Sequence, residues 1–194
     1  MTVSKQLWLL TGGNGAGKST FYRLFLSPLC MKFINADLIA KEIDPDNTEK
    51  SSYLALTLAT RLREDLIRQS ATFCFETVFS HESKIDFVAS AKALGYEIIL
   101  VYIHLDITDL NEARVRQRVD EGGHSVPADR ILDRIPRTMK NVSIVLPLVD
   151  EARLLNNSSR NNPFQQVAVV KQGKRHNVID QIPEWAVTML KDIP

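Results

Sequence analysis

Gly12, Gly17, Lys18 and Ser19 stand at the spacing G-x-x-x-x-G-K-[ST], which suits the phosphates of a nucleoside triphosphate. Glycines let backbone N–H groups approach phosphate oxygens closely. Lys18 supplies a positive charge between the β- and γ-phosphates, and Ser19 offers a hydroxyl to Mg²⁺. The expected nucleotide-binding set is Gly12, Gly13, Asn14, Gly15, Ala16, Gly17, Lys18, Ser19 and Thr20, with Ser19 as metal ligand and Lys18 also catalytic. The competing reading is an ordinary Gly-rich turn between strand and helix. The apolar run before the loop and Phe21–Leu26 after it favour a phosphate loop that binds ATP or GTP, and ATP with Mg²⁺ is the ligand pair adopted.

Phosphoryl transfer also needs a group to orient the acceptor and cations to neutralise the moving phosphoryl group. Asp37 follows the second strand, at the sheet edge where such folds place ligands, and could take a proton from an attacking hydroxyl. It could equally cap the helix it opens. Glu76 ends the third strand in the same way and could hold a substrate hydroxyl or a water on Mg²⁺, or be a solvated strand end. Asn35 and Thr77 complete a set of expected substrate contacts with Asp37, Glu76 and His124. Asp106, after another apolar run, is a reserve acid. Arg114 and Arg118 share one helical face; Arg130, Arg134 and Arg137 share another; Gly122-Gly123-His124 lies between. Two such helices could close as a lid over phosphates, with Arg118 and Arg134 as its catalytic cations. Interleaved acids leave a solvated, ion-paired face as the alternative. None of the four histidines has metal-ligand spacing.

Alternating strands and helices must position these residues. Strands are expected at 6–11, 32–35, 72–76 and 96–105, and helices at 18–27, 37–43, 47–69 and 82–94. In the long helix, Leu54, Leu58, Leu62 and Leu66 recur every four residues, with Arg63 among the charged residues between them. Helices at 108–119 and 128–149 follow, the second kinked or divided by Pro136, with Ile131, Ile135, Val142, Val145 and Val149 inward. A strand at 152–155, a late hairpin around Gly173 and a helix at 184–192 close the chain. The pattern is α/β with a parallel sheet. The 194 residues suggest one domain over 1–194, with a lid region at about 108–149.

A net charge of +1 excludes a broad nucleic-acid surface, and no apolar run approaches membrane-spanning length. The stretch before the phosphate loop is too short for a signal-peptide core, so a cytoplasmic location is expected. Cys30 and Cys74 both read as buried thiols.

Gly12–Thr20, Ile34-Asn-Ala-Asp-Leu-Ile39, Phe75-Glu-Thr77, Gly95-Tyr-Glu97, Arg118 with Gly122-Gly-His-Ser-Val-Pro127, Arg134–Asn141 and Asn157-Ser158 together resemble the zeta-toxin family of P-loop kinases. The resemblance spans Leu7 to about Ser158. It implies a P-loop NTPase fold of nucleoside-monophosphate-kinase type with a helical lid. It also implies Lys18, an Asp37 general base, Glu76 and Arg118 in the family's site roles, and an antitoxin protein as partner. The family's larger members phosphorylate a hydroxyl of UDP-N-acetylglucosamine. Their Glu-Gly-Thr-x-Arg signature appears here as Glu76-Thr-Val-Phe-Ser80, without the Arg, and their second lid Arg falls on His124. The expectation is an ATP-dependent kinase of a small-molecule hydroxyl, a UDP-N-acetyl sugar first. An antibiotic or nucleotide acceptor, or a nucleotide-switched binding protein, are the alternatives.

Overall fold

The computed structural model describes residues 4–105 and 128–194, with backbone alone for 128–132. The described strands are β1 (Gln6–Gly12), β2 (Lys32–Ile34), β3 (Phe73–Thr77), β4 (Glu97–His104), β5 (Glu151–Asn156), β6 (Gln165–Lys171) and β7 (Lys174–Asn177), in one sheet of order β2-β3-β1-β4-β5-β6-β7. The first five run parallel, and β6 and β7 add an antiparallel edge.

Both faces of the central strands β1, β3 and β4 are buried, which is why these strands read as continuous apolar runs. Leu7 and Leu9 of β1 join Phe73, Phe75, Ile98 and Leu100 in the larger core. Leu10 points the other way, with Cys74, Val101, Ile103 and Leu155. That alternation is the period-two pleat of a strand. The chain leaves β1 in the middle of the sheet and returns on either side of it, to β3 and to β4. The carboxyl ends of β1, β3 and β2 therefore lie side by side at a topological switch point, where open α/β sheets bind ligands.

The described helices are α1 (Lys18–Phe21), α2 (Ala36–Ile43), α3 (Thr48–Arg68), α4 (Ser83–Ala93), α5 (Ala128–Val145) and α6 (Glu184–Met189). The helix expected over 18–27 is α-helical only to Phe21. Tyr22–Leu26 widens to a π turn and Ser27–Leu29 tightens to a 3₁₀ turn at Pro28. Tyr22 is held there by stacking on Phe33 (3.7 Å between ring centroids) and by donating to the Met31 carbonyl at 2.7 Å. Cys30 follows in the left-handed region (φ 55°) and is exposed, contrary to expectation, whereas Cys74 is buried on β3 with its thiol pushed up by burial.

One helix departs from the sequence reading in a way that matters for the site. In α3 the leucine row does not set the buried face: Leu54 and Leu62 are exposed, while Ser51, Ala55, Ala59, Arg63 and Leu66 are buried. Small residues allow α3 to pack closely on its neighbours, and that rotation carries Arg63 inward. Helix α5 runs through Pro136 undivided. Val142 and Val145 are inward as expected, and Val149 is buried just beyond the helix.

Candidate active site

The loop between β1 and α1 is shaped by what its glycines approach. Gly12 has φ 145°, and a Cβ there would lie 2.3 Å from the Ile103 carbonyl oxygen of β4. Gly17 has φ 97°, and a Cβ there would lie 2.6 Å from Asn157 Nδ2. Both positions combine a positive φ with a wall, so only glycine fits. Asn157, at the end of β5, donates through Nδ2 to the Ala16 carbonyl at 2.9 Å and accepts from the Phe164 N–H at 3.3 Å. Asn157→Ala is therefore expected to lower the stability by about 1–3 kcal/mol, the range for orphaning buried polar groups, in a urea unfolding series.

Lys18 is 7% exposed, and its Nζ donates to the carbonyls of Gly12 (3.1 Å) and Gly13 (3.0 Å). It also lies 3.9 Å from Glu76 Oε1. Glu76 is the hub of the site: its Oε2 accepts from Ser19 Oγ at 2.9 Å and from Asn35 Nδ2 at 2.8 Å. Register explains the convergence. Leu10 is opposite Glu76, and Ile34, the residue before Asn35, is opposite Phe75, the residue before Glu76.

Asn35 binds with both ends of its amide. Besides donating to Glu76, its Oδ1 accepts from the N–H groups of Asp37 (2.7 Å) and Leu38 (3.1 Å), which makes it the N-cap of α2. Asn35, rather than Asp37, thus caps this helix. Asp37 sits in the first turn, exposed, and lines the cavity beside the loop.

That cavity has a volume of about 460 Å³ and is walled by α2, α3, the segment Phe75–His81 and Arg134 of α5, with Asn14 and Lys18 at the loop end. Asn14 Oδ1 is buried with no hydrogen-bond partner among the described residues. Thr77 lines the same space and accepts the Phe79 N–H on Oγ1 at 3.1 Å. The Val78 and Phe79 carbonyls accept from Thr138 Oγ1 (2.9 Å) and Asn141 Nδ2 (3.0 Å) of α5, which ties this wall to the helix that carries Arg134. The described site therefore brings together Lys18, Ser19, Asn35, Asp37, Glu76, Thr77 and Arg134. Thr20 is exposed on α1. Arg114, Arg118, His124 and Asp106 lie outside the described residues, as does the part of the expected lid before residue 128.

Sequence reasoning missed two cations on the cavity wall, Arg63 of α3 and Lys84 of α4. Arg63 is 4% exposed, with its guanidinium carbon 4.0 Å from the centroid of the Phe75 ring. The leucine spacing concealed it. The signal that could have found it is the row Ser51, Ala55, Ala59, whose continuation at i+4 is Arg63.

A family model described as an AAA domain matches residues 7–140. An uncharacterized protein of Haemophilus influenzae is 34% identical over 134 residues, 66% of this chain and 95% of the relative. Two solved structures share the fold at low identity. The crystal structure of AvrRxo1-ORF1:-ORF2 with ATP superposes with a TM-score of 0.73 at 17% identity, over 99% of this chain and 64% of that one. The chain thus spans under two-thirds of the AvrRxo1 chain's length. A structure from the PezAT chromosomal toxin-antitoxin system of Streptococcus pneumoniae has a TM-score of 0.67 at 16% identity, over 98% of this chain and 85% of that one. The architecture is that of a P-loop α/β domain.

Proposed function

Because the chain belongs to the AAA domain family, matched from residue 7 to residue 140, we propose that it is an ATP-dependent kinase that transfers the γ-phosphate to a hydroxyl of a small molecule. One observation carries this reading. The phosphate loop opens onto a cavity of about 460 Å³ with the Asp37 carboxylate on its wall. That volume lies within the usual range for a small-molecule site. A nucleotide switch that only orients water has no need of such a space.

The residues present fit ATP and Mg²⁺. Gly12 and Gly17 leave a cradle that a Cβ would fill. Ser19 Oγ and Glu76 form the hard-oxygen pair that would hold Mg²⁺, and the described residues contain no cluster of three or more acids, His or Cys. That sparse set suits an ion that keeps several of its waters. When bound, Mg²⁺ would neutralise phosphate oxygens. Lys18 exchanges the Gly12 and Gly13 carbonyls for phosphate oxygens. Asp37 accepts the acceptor hydroxyl's proton as its oxygen bonds to the γ-phosphorus and ADP departs. Asn35 holds Glu76 in place and fixes the turn that presents Asp37.

The acceptor's reacting end is best read as a sugar-like hydroxyl, with a UDP-N-acetyl sugar as first candidate from the resemblance to zeta toxins. Phe75 is 4% exposed and Phe79 1%, so neither offers a free face for stacking a flat base. The likeness to a PezAT structure supports an antitoxin-type protein partner, which co-expression with neighbouring open reading frames would test.

The direct test is incubation with γ-labelled ATP and a metabolite extract, followed by identification of the labelled product. Acceptor-stimulated ATP turnover supports the kinase; turnover indifferent to every acceptor overturns it. Arg134→Ala, on the cavity wall, and Arg118→Ala, in the expected lid, should each lower kcat about tenfold or more while changing ATP affinity less, since such cations act chiefly on transition-state charge. His124→Ala should do the same more weakly. A normal kcat in all three variants returns the charge run to a solvated face.

A further inference from the structure

We propose that the cavity contains an oxyanion site made by Arg63 and Lys84, and that the acceptor therefore carries a carboxylate or phosphate in addition to its reacting hydroxyl. The word acceptor rests on the kinase reading above; the anion site does not.

Arg63 is 4% exposed, yet among the described residues no carboxylate lies within ion-pair distance of it. Its guanidinium packs against the rings of Phe75 (4.0 Å) and Phe87 (4.8 Å). Nη2 donates to Thr60 Oγ1 at 3.0 Å, and Nε is buried with no partner among the described residues. An arginine buried this deeply is ordinarily paired, because an isolated charge is costly to desolvate. Burial pulls Arg63 down to about 10, against the pull of exposed Glu64 in the other direction, so it stays charged at neutral pH.

Lys84 lines the same cavity, with Nζ 5.7 Å from the centroid of the same Phe75 ring. Burial and the Arg63 charge hold its ammonium below the usual lysine range. Both cations thus lie against the Phe75 ring, and among the described residues neither has an ion-pair partner. The acids on the wall are placed elsewhere. Glu76 is held by Ser19 and Asn35 and lies beside Lys18. Asp37 belongs to the first turn of α2. Glu49 precedes Arg63 on α3 by 14 positions, or about 21 Å along the axis at 1.5 Å per residue. The missing negative charge is therefore one the ligand brings. An arginine on the cavity wall suits a planar carboxylate or a phosphate, and a lysine on the same wall adds a point charge. Arg63 and Lys84 line the same cavity as Asp37 and Glu76, so such an anion would share that space with the reacting groups.

The site can be read by binding alone. The protein is saturated with Mg²⁺ and the non-hydrolysable ATP analogue AMP-PNP, which fills the phosphate loop, and then titrated calorimetrically with inorganic phosphate and, separately, with acetate. One equivalent of one or both anions should bind, with Kd raised at least tenfold in Arg63→Gln and in Lys84→Gln and with AMP-PNP affinity within twofold of the parent. Phosphate binding alone identifies a phosphorylated acceptor, and acetate binding alone a carboxylated one. Binding of neither anion to the loaded parent overturns the proposal, as does unchanged Kd in both variants. The melting temperature separates a packing role. Removing a lone buried charge should leave it level or raised, whereas a fall with unaltered anion binding makes Arg63 structural and sinks the site. Protein that binds AMP-PNP and the anion but transfers no phosphate would refute the kinase reading and leave this one standing.

Discussion

Lys18→Ala is expected to reduce phosphoryl transfer by about a thousandfold or more, the upper range for removing one preorganised charge-stabilising donor. Lys18 is the cation within the loop, and its Nζ already lies among the Gly12 and Gly13 carbonyls and within 3.9 Å of Glu76. The same contacts make the substitution felt in the fold. Glu76 keeps its bonds from Ser19 and Asn35 but loses the nearby positive charge, so a stability loss of about 1–3 kcal/mol should accompany the loss of turnover. Initial rates with γ-labelled ATP and a urea unfolding series would measure the two effects. Turnover within a few-fold of the parent would end the assignment of this loop to catalysis, whatever the stability change.

Asp37→Asn should cost about a hundredfold or more in transfer, the typical worth of a positioned general base, with nucleotide affinity unchanged. The structure makes this a clean substitution. Asn35, not Asp37, caps α2, so the helix keeps its N-terminal bonds whichever side chain stands at position 37. Asp37 is also exposed on the cavity wall, where asparagine matches its shape. Single-turnover rates on bound ATP isolate the transfer step. If nucleotide affinity collapsed while transfer per bound ATP survived, Asp37 would be a metal or structural group and the base would have to be sought elsewhere.

The sequence by itself determined the parts of this protein that depend on local spacing. The phosphate loop was legible because its glycines, lysine and serine act within nine consecutive residues, Gly12–Thr20. The parallel strands were legible because burial on both faces leaves uninterrupted apolar runs. Glu76 could be placed at the carboxyl edge of the sheet because it directly follows such a run, Phe73-Cys-Phe75, and Asp37 because it stands just past the short second strand.

Only the tertiary structure decided how those groups meet. That Glu76 gathers Ser19, Asn35 and Lys18 depends on β3 lying between β2 and β1, an order that no stretch of chain contains. Asn157 reaches Ala16 across 141 positions for the same reason. Arg63 is the sharpest case. Its local pattern places it among the charged residues between leucines, on a face that ought to meet water. Close packing through Ser51, Ala55 and Ala59 instead turns that face inward, over Phe75. A helix with leucines on one row and small residues on another has two candidate buried faces, and the shape of the surface it packs against selects between them.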